Sequence, residues 1–273
     1  MSVVGRLAPT PSGHLHLGNA LAFGAAWLSV RNAGGRLLLR IEDIDRSRSR
    51  PGIAEAQRRD LRWLGLEWDA EVAPQSERAY PTDGLDTYRC DCTRRQRLAR
   101  PCPHRDRPSV EGAVRFRSAR RPVAFEDRAQ GPQLHVPDQD PLLVRRDGEP
   151  GYPLAVVLDD LRDGVTEVVR GGDLLAPTAV QVELYRALGR TPPTWLHVPL
   201  LLGPDGRKLG KSHGSTELRA LRDAGWTAAD VWRRLLPLLG IPSGVGLAGA
   251  RLVPFAVPAG PFTLDDDGAV RAS

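Results

Sequence analysis

Cysteine is scarce in this 273-residue chain: there are three, all between positions 90 and 102. An odd number confined to thirteen residues excludes a disulfide framework and points to a metal-binding or structural role. No window approaches the ~18 uninterrupted apolar residues of a membrane-spanning helix. The N-terminus "MSVVGRLAP" lacks the basic region, long apolar core and cleavage site of a secretion signal, so a cytoplasmic location is expected. No internal repeat occurs. Arginine supplies nearly all the basic side chains, and the net charge of +5 allows a polyanionic partner such as RNA. A GC-rich genome also enriches arginine, so charge alone does not decide. What remains is an ordinary globular composition, 41% hydrophobic and 26% charged, on a chain long enough for one large domain with insertions.

Hydrophobic patterning alternates between strand and helix. "VVGRLA" (3 to 8) reads as a buried strand, "LHLGNALAFGAAWLSVRNAGG" as a helix closed by Gly34 and Gly35, and "RLLLRIED" (36 to 43) as a second strand. "GIAEAQRRDLRWLGL" (52 to 66) has helical spacing and returns the chain for another crossover. We expect an α/β fold, a Rossmann-like doubly wound parallel sheet begun by residues 1–69. Residues 70–150 change character, with scattered Pro, many Arg and short strand-like pieces such as "AVRFR" and "PVAFED", and read as an insertion subdomain. Alternation resumes over 151–205. Residues 206–273 hold the basic loop "GRKLGKSHG", two helical stretches near 215–223 and 227–239, and a Gly/Pro-rich tail.

The stretch "APTPSGHLHLGNA" (8 to 20) joins the first strand to the first helix. A helix N-terminus presents unpaired backbone N–H groups and a partial positive charge, so such an entry suits an anion. Gly13 and Gly18 allow close backbone approach, while His16 and Asn19 offer donors without a permanent charge. His14 and His16 can equally be surface or capping residues. The arms "CDC" (90 to 92) and "CPH" (102 to 104) supply four potential ligands, Cys90, Cys92, Cys102 and His104, a set suited to tetrahedral Zn²⁺. Three idle or buried thiols are the alternative.

Taken together, "GRLAPTPSGHLHLGNA", "LLLRIEDIDRSR" and "VTEVVRGGDLL" resemble the catalytic domain of class I glutamyl-tRNA synthetases. "HLGN" (16 to 19) stands at the HIGH-type signature and "KLGKS" (208 to 212) at the KMSKS-type loop. Asn19 replaces the final His of the first, and Gly210 the central serine of the second. The resemblance covers about residues 3–214, with weaker correspondence inside the insertion.

This resemblance implies that the glutamate α-carboxylate attacks the α-phosphorus of ATP, with catalysis by positioning and preorganised donors. It assigns catalysis to His16, Asn19, Lys208 and Lys211, and ATP binding to Pro9, Gly13, His16, Gly18, Asn19 and Lys211. Arg6 and Arg170 are the implied carboxylate binders, Glu42 accepts from the ammonium group, and Tyr152 lines the pocket. A structural ion-pair network of Arg6, Glu42 and Arg170 is the competing reading. Asp43, Asp45, Asp159 and Asp160 are expected to be caps and turn residues, and Mg²⁺ to arrive with ATP. Related enzymes carry a Cys-x-Cys pair and a later Cys at the insertion, with a fourth ligand that varies and can be Tyr. No tyrosine lies between Cys92 and Cys102 here, so His104 is the candidate. "QSERAYPTDGLDTYRC" is shorter than the segment usual before those cysteines.

Only about sixty residues follow the basic loop, where an anticodon-reading enzyme carries a helical domain. That layout resembles the branch that attaches glutamate to queuosine in tRNA(Asp). The alternatives are a minimal enzyme charging tRNA(Glu) and a non-catalytic RNA-binding paralogue.

Overall fold

The computed structural model describes residues 2–209, 216–258, 260–264 and 270–272. The first half runs β1 (Val4–Leu7), α1 (Leu17–Asn32), β2 (Arg36–Leu39), α2 (Ile53–Trp63) and β3 (Ala70–Glu71). Next come β4 (Thr87–Cys90), α3 (Arg94–Ala99), β5 (Ala113–Phe116), β6 (Val123–Asp127), β7 (Gly131–His135) and β8 (Leu142–Val144). The chain continues with α4 (Tyr152–Arg162), β9 (Glu167–Gly171), α5 (Thr178–Ala187), β10 (Thr194–Val198) and β11 (Leu201–Leu202). It closes with α6 (Leu218–Asp223), α7 (Ala228–Leu235), β12 (Phe262–Leu264) and β13 (Val270–Ala272).

β1, β2 and β3 pair in parallel in that order, and β9, β10 and β6 pair in parallel with β7 beyond them. The two ladders meet where Thr166, just before β9, donates its backbone N–H to the Val4 carbonyl (2.9 Å) and accepts the Val4 N–H on its hydroxyl (2.9 Å). Strand order therefore reverses between β1 and β9. In an open α/β sheet the crevice beyond the strand ends at such a reversal is where ligands bind.

Helix α1 covers this junction. Its buried residues include Leu17, Leu21, Ala25, Leu28 and Val30. Gly24 lets Trp232 of α7 lie on the helix, since a Cβ there would come within 2.6 Å of the indole. Trp232 is 3% exposed and its Nε1–H donates to the Leu64 carbonyl (2.8 Å), so α7 is fixed to the turn after α2. Burying an indole in this way contributes about 3–5 kcal/mol relative to alanine.

Two expectations change here. Part of segment 70–150 belongs to the catalytic sheet, because β6 pairs with β10 (Trp195↔Asp127) and the Arg128 N–H donates to the Trp195 carbonyl (2.8 Å). Pairing between strands nearly seventy residues apart leaves no local trace in sequence. The antiparallel sheet β4–β5–β8, with α3, forms the separate layer. The C-terminal region is also not only helical: β12 pairs with β11, and Ala250, Leu252, Val257 and Leu264 join the main core. Among the described residues no helix is long and apolar enough to cross a membrane.

Candidate active site

The loop between β1 and α1 is held from beneath by Gln57 of α2. This side chain is 1% exposed, and its amide donates to the carbonyls of Thr10 (2.9 Å) and Gly13 (2.8 Å). The Pro9 carbonyl accepts the Glu42 N–H (2.9 Å), which ties the loop to the segment after β2. His16 is the N-cap of α1: its Nδ1 accepts the Gly18 N–H (3.1 Å), and Asn19 Oδ1 accepts the His16 N–H (3.0 Å). The capping reading thus holds for His16. With Nδ1 an acceptor, the neutral ring carries its proton on Nε2, which becomes a donor, and the Asn19 amide NH₂ is left as a donor too. A Cβ at Gly18 would sit 3.1 Å from the His16 ring, so glycine here also leaves the capping imidazole undisturbed. The first turn of α1 contains no acid, so nothing in that turn neutralises the helix dipole.

One 660 Å³ cavity at the strand reversal brings together Arg6, Pro9, Gly13, His16, Gly18, Asn19, Glu42, Tyr152, Arg170 and Lys208. Every described residue of the predicted catalytic, ATP and glutamate sets lines it. Lys211 and Gly210 lie outside the described residues. Lys208, at the end of the β11 turn, pairs with Asp173, which follows β9.

The competing ion-pair reading is also partly realised. Arg6 Nε donates to Asp160 (3.3 Å) and its Nη1 to the Val169 carbonyl (3.3 Å). Arg40, fully buried, donates to Asp160 (2.8 Å), Asp163 (2.9 Å) and Glu42 (3.1 Å). Burial alone would lower the Arg40 pKa, yet the carboxylates of Asp160, Glu42 and Asp159 hold it well above its ordinary value. Burial pushes the Glu42 carboxyl up, against the pull of Arg40 and Arg6. Arg6 and Glu42 therefore belong to a network and to the cavity wall at once, and a buried network is what keeps such groups rigid.

Asp43 and Asp45 are turn residues as expected, accepting from Ser76 (2.8 and 2.6 Å) and Ser47 (2.6 Å). Asp159 and Asp160 are not caps. Both lie inside α4 and are buried; Asp159 meets Arg78 (3.0 Å), Gln75 (2.8 Å) and Tyr80 (3.0 Å). Two adjacent acids in a mostly apolar helix carry a signal for buried partners, but not for which partners.

Arg170 is 6% exposed, and burial holds its pKa below the ordinary guanidinium value. Its Nη2 donates to Thr178 Oγ1 (2.7 Å), its Nη1 lies 3.4 Å from the Tyr152 hydroxyl, and its Cζ sits 4.9 Å from the Trp195 ring centroid. A cation so placed meets a carboxylate with little reorganisation.

The family model for "tRNA synthetases class I (E and Q), catalytic domain" matches residues 2–89 and 86–243. The chain belongs to this family. It is thus a class I tRNA synthetase, an α/β ligase fold with parallel sheets. Glutamyl-Q tRNA(Asp) synthetase of Symbiobacterium thermophilum is 44% identical over 279 aligned positions, covering 87% of this chain and 86% of that one. The protein of the same name from Nocardia farcinica is 39% identical and covers 98% and 95%. Among solved structures, the glutamate-tRNA synthetase of Elizabethkingia anophelis superposes with a TM-score of 0.79 at 22% identity, over 98% of this chain and 69% of that one. That likeness shows the fold.

The cysteine cluster lies on the antiparallel layer. The ligating atoms of Cys90, Cys92, Cys102 and His104 all fall within 4.8 Å of one another. Cys90 Sγ is 3.3 Å from Cys102 Sγ, and Cys92 Sγ is 3.3 Å from His104 Nδ1. Tetrahedral ligands at ~2.3 Å from a metal stand ~3.8 Å apart, so the set fits one ion with small adjustments. Burial and the neighbouring thiols push the Cys92 thiol up to about 11, so crowding opposes multiple thiolates unless a cation joins them. His104 Nε2 sits 3.2 Å from Asp91, leaving Nδ1 toward the sulfurs, as a ligating imidazole requires.

Proposed function

We propose that this chain activates L-glutamate with ATP and transfers it to queuosine in the anticodon of tRNA(Asp). The observation that carries the reading is the single cavity in which cations for a carboxylate, an acid for an ammonium group and a helix N-terminus for phosphates converge. The names of relatives at about 40% identity supply the acceptor.

Arg170 and Arg6 hold the side-chain carboxylate, Glu42 accepts from the ammonium group, and Tyr152 orients both. One oxygen of the α-carboxylate attacks the α-phosphorus, the bond to the bridging oxygen breaks, and pyrophosphate leaves. His16 Nε2–H, the Asn19 amide and the N-terminus of α1 donate to the phosphates, with Lys208 and Lys211 over the departing pyrophosphate. Lys208 must then leave Asp173. Mg²⁺ accompanies ATP as its counter-ion. A hydroxyl of the queuosine cyclopentene diol attacks the glutamyl carbonyl, an ester forms, and AMP departs.

A target in the anticodon loop requires no reach along the tRNA, since an exposed nucleoside enters the site while arginines meet phosphates. The test is transfer of labelled glutamate to queuosine-containing tRNA(Asp) before and after enzymatic removal of the 3′-terminal adenosine. Transfer is expected to survive; its disappearance would place glutamate at the 3′ end and overturn the queuosine assignment.

Zn²⁺ is the ion assigned to Cys90, Cys92, Cys102 and His104, in a closed structural role. Metal analysis of protein purified without added zinc is expected to give about one Zn²⁺ per chain. Cys102→Ser should reduce it several-fold, and metal-free protein of full activity and stability would remove zinc from the account.

A further inference from the structure

His197 is fully buried, in a strand whose composition gives no reason for an imidazole. On one side its Nδ1 lies 2.6 Å from Asp127 Oδ2, itself fully buried at the end of β6. On the other its Nε2 accepts from Arg170 Nε–H at 3.1 Å. His197 and Arg170 are register partners on β10 and β9. The three side chains form a row across the ends of the adjacent parallel strands β6, β10 and β9, running from β6 to the proposed glutamate pocket.

The direction of every hydrogen bond in the row is fixed. A guanidinium only donates, so His197 Nε2 must be the acceptor and the ring proton must lie on Nδ1, pointing at Asp127. The Thr178 hydroxyl accepts from Arg170 Nη2 and lies 2.7 Å from the Leu174 carbonyl and 3.2 Å from the same Nε2; whichever of the two takes its proton, Nε2 remains an acceptor. Asp127 is in turn immobilised: its Oδ1 accepts the N–H groups of Ala129 (3.0 Å) and Gln130 (2.8 Å), and its Oδ2 the His197 N–H (3.1 Å). Trp195 stacks against both partners, its ring 6.5 Å from that of His197 and 4.9 Å from Arg170 Cζ. Rotation of the guanidinium about its last torsion would break the Nε bond to His197 and the Nη2 bond to Thr178 together.

We infer that Asp127 and His197 are positioning residues that set the plane of the Arg170 guanidinium, so that Nη1 faces the substrate carboxylate beside Tyr152. This rests on the proposed glutamate role of Arg170. Burial lowers the His197 pKa, consistent with the neutral tautomer the geometry requires.

Two substitutions separate the halves of the imidazole. His197→Asn keeps a donor near Nδ1 for Asp127 but removes the acceptor for Arg170, and His197→Gln keeps an acceptor near Nε2. In glutamate-dependent ATP–pyrophosphate exchange, His197→Asn is expected to raise the glutamate KM about tenfold or more with the ATP KM within about twofold. His197→Gln should recover most of that loss. Equal effects on both substrates, or no glutamate effect in either variant, would overturn the inference. Nitrogen-15 NMR of the wild-type chain with labelled histidine tests it independently of activity and of variant folding. A solvent-protected ring proton on Nδ1, with Nε2 bare, is expected, whereas a proton on Nε2 contradicts the relay. Wild-type protein inactive with glutamate would defeat the functional reading while leaving the tautomer measurement decisive for the relay.

Discussion

Arg170→Met is expected to lower kcat/KM for glutamate in ATP–pyrophosphate exchange by about 10²- to 10³-fold, with the ATP KM within about twofold. Removing one member of a buried, hydrogen-bonded charge pair costs about 2–5 kcal/mol, and each 1.4 kcal/mol is a factor of ten. Methionine matches much of the arginine stem and tolerates burial, so packing is largely kept. Loss of the guanidinium also takes a donor from the buried His197 Nε2, so a stability decrease of about 1–3 kcal/mol is expected beside the larger glutamate effect. Arg170→Lys is not expected to rescue, since an ammonium group cannot donate to His197, Thr178 and a substrate in the directions the planar fork provides. Steady-state exchange kinetics with thermal denaturation on the same samples would decide this. An unchanged glutamate KM in a folded variant would remove Arg170 from the pocket.

Arg40→Met should have the opposite signature. Arg40 does not line the cavity, but it joins Glu42, Asp160 and Asp163 with no exposure to solvent. Its loss leaves buried carboxylates uncompensated, and breaking such a network on one side costs about 3–5 kcal/mol. The deficit has a defined pH dependence. Glu42 is already raised by burial, and without Arg40 its folded-state pKa rises further above the unfolded value. The folded state then holds protons that the unfolded state has lost, so stability falls as pH rises above the ordinary carboxylate range. Urea denaturation at pH 5 and pH 8 should show a larger deficit relative to wild type at pH 8. A deficit independent of pH would mean that packing, and not charge, dominates at Arg40.

Sequence reached the cavity because its motifs are local. The strand, turn and helix around "APTPSGHLHLGNA" lie within thirty residues, so sequence locates the turn into α1, and the structure sets His16 there as the N-cap. Lysine is equally telling, since it occurs only at positions 208 and 211. The cysteine arms are as readable, because two short turns on one layer bring all four side chains together. What sequence did not disclose depends on register. Asp127 lies in a segment that looked like insertion, and only its pairing with β10 aligns it with His197 and Arg170. Asp159 and Asp160 looked like turn residues because acids usually are exposed. Their burial becomes intelligible once Arg78, Arg40 and Arg6 arrive from three other segments. Gln57 is similar: nothing in an amphipathic helix announces that one amide will brace a loop more than forty residues away.

The most direct test of the central claim is ATP–pyrophosphate exchange by the full chain with no tRNA present. On the proposed reading the cavity supplies groups for both substrates without help from nucleic acid, so exchange should require L-glutamate and ATP alone and be absent with L-glutamine or L-aspartate. Exchange that appears only when tRNA(Glu) is added, or no exchange with glutamate under any condition, would contradict it.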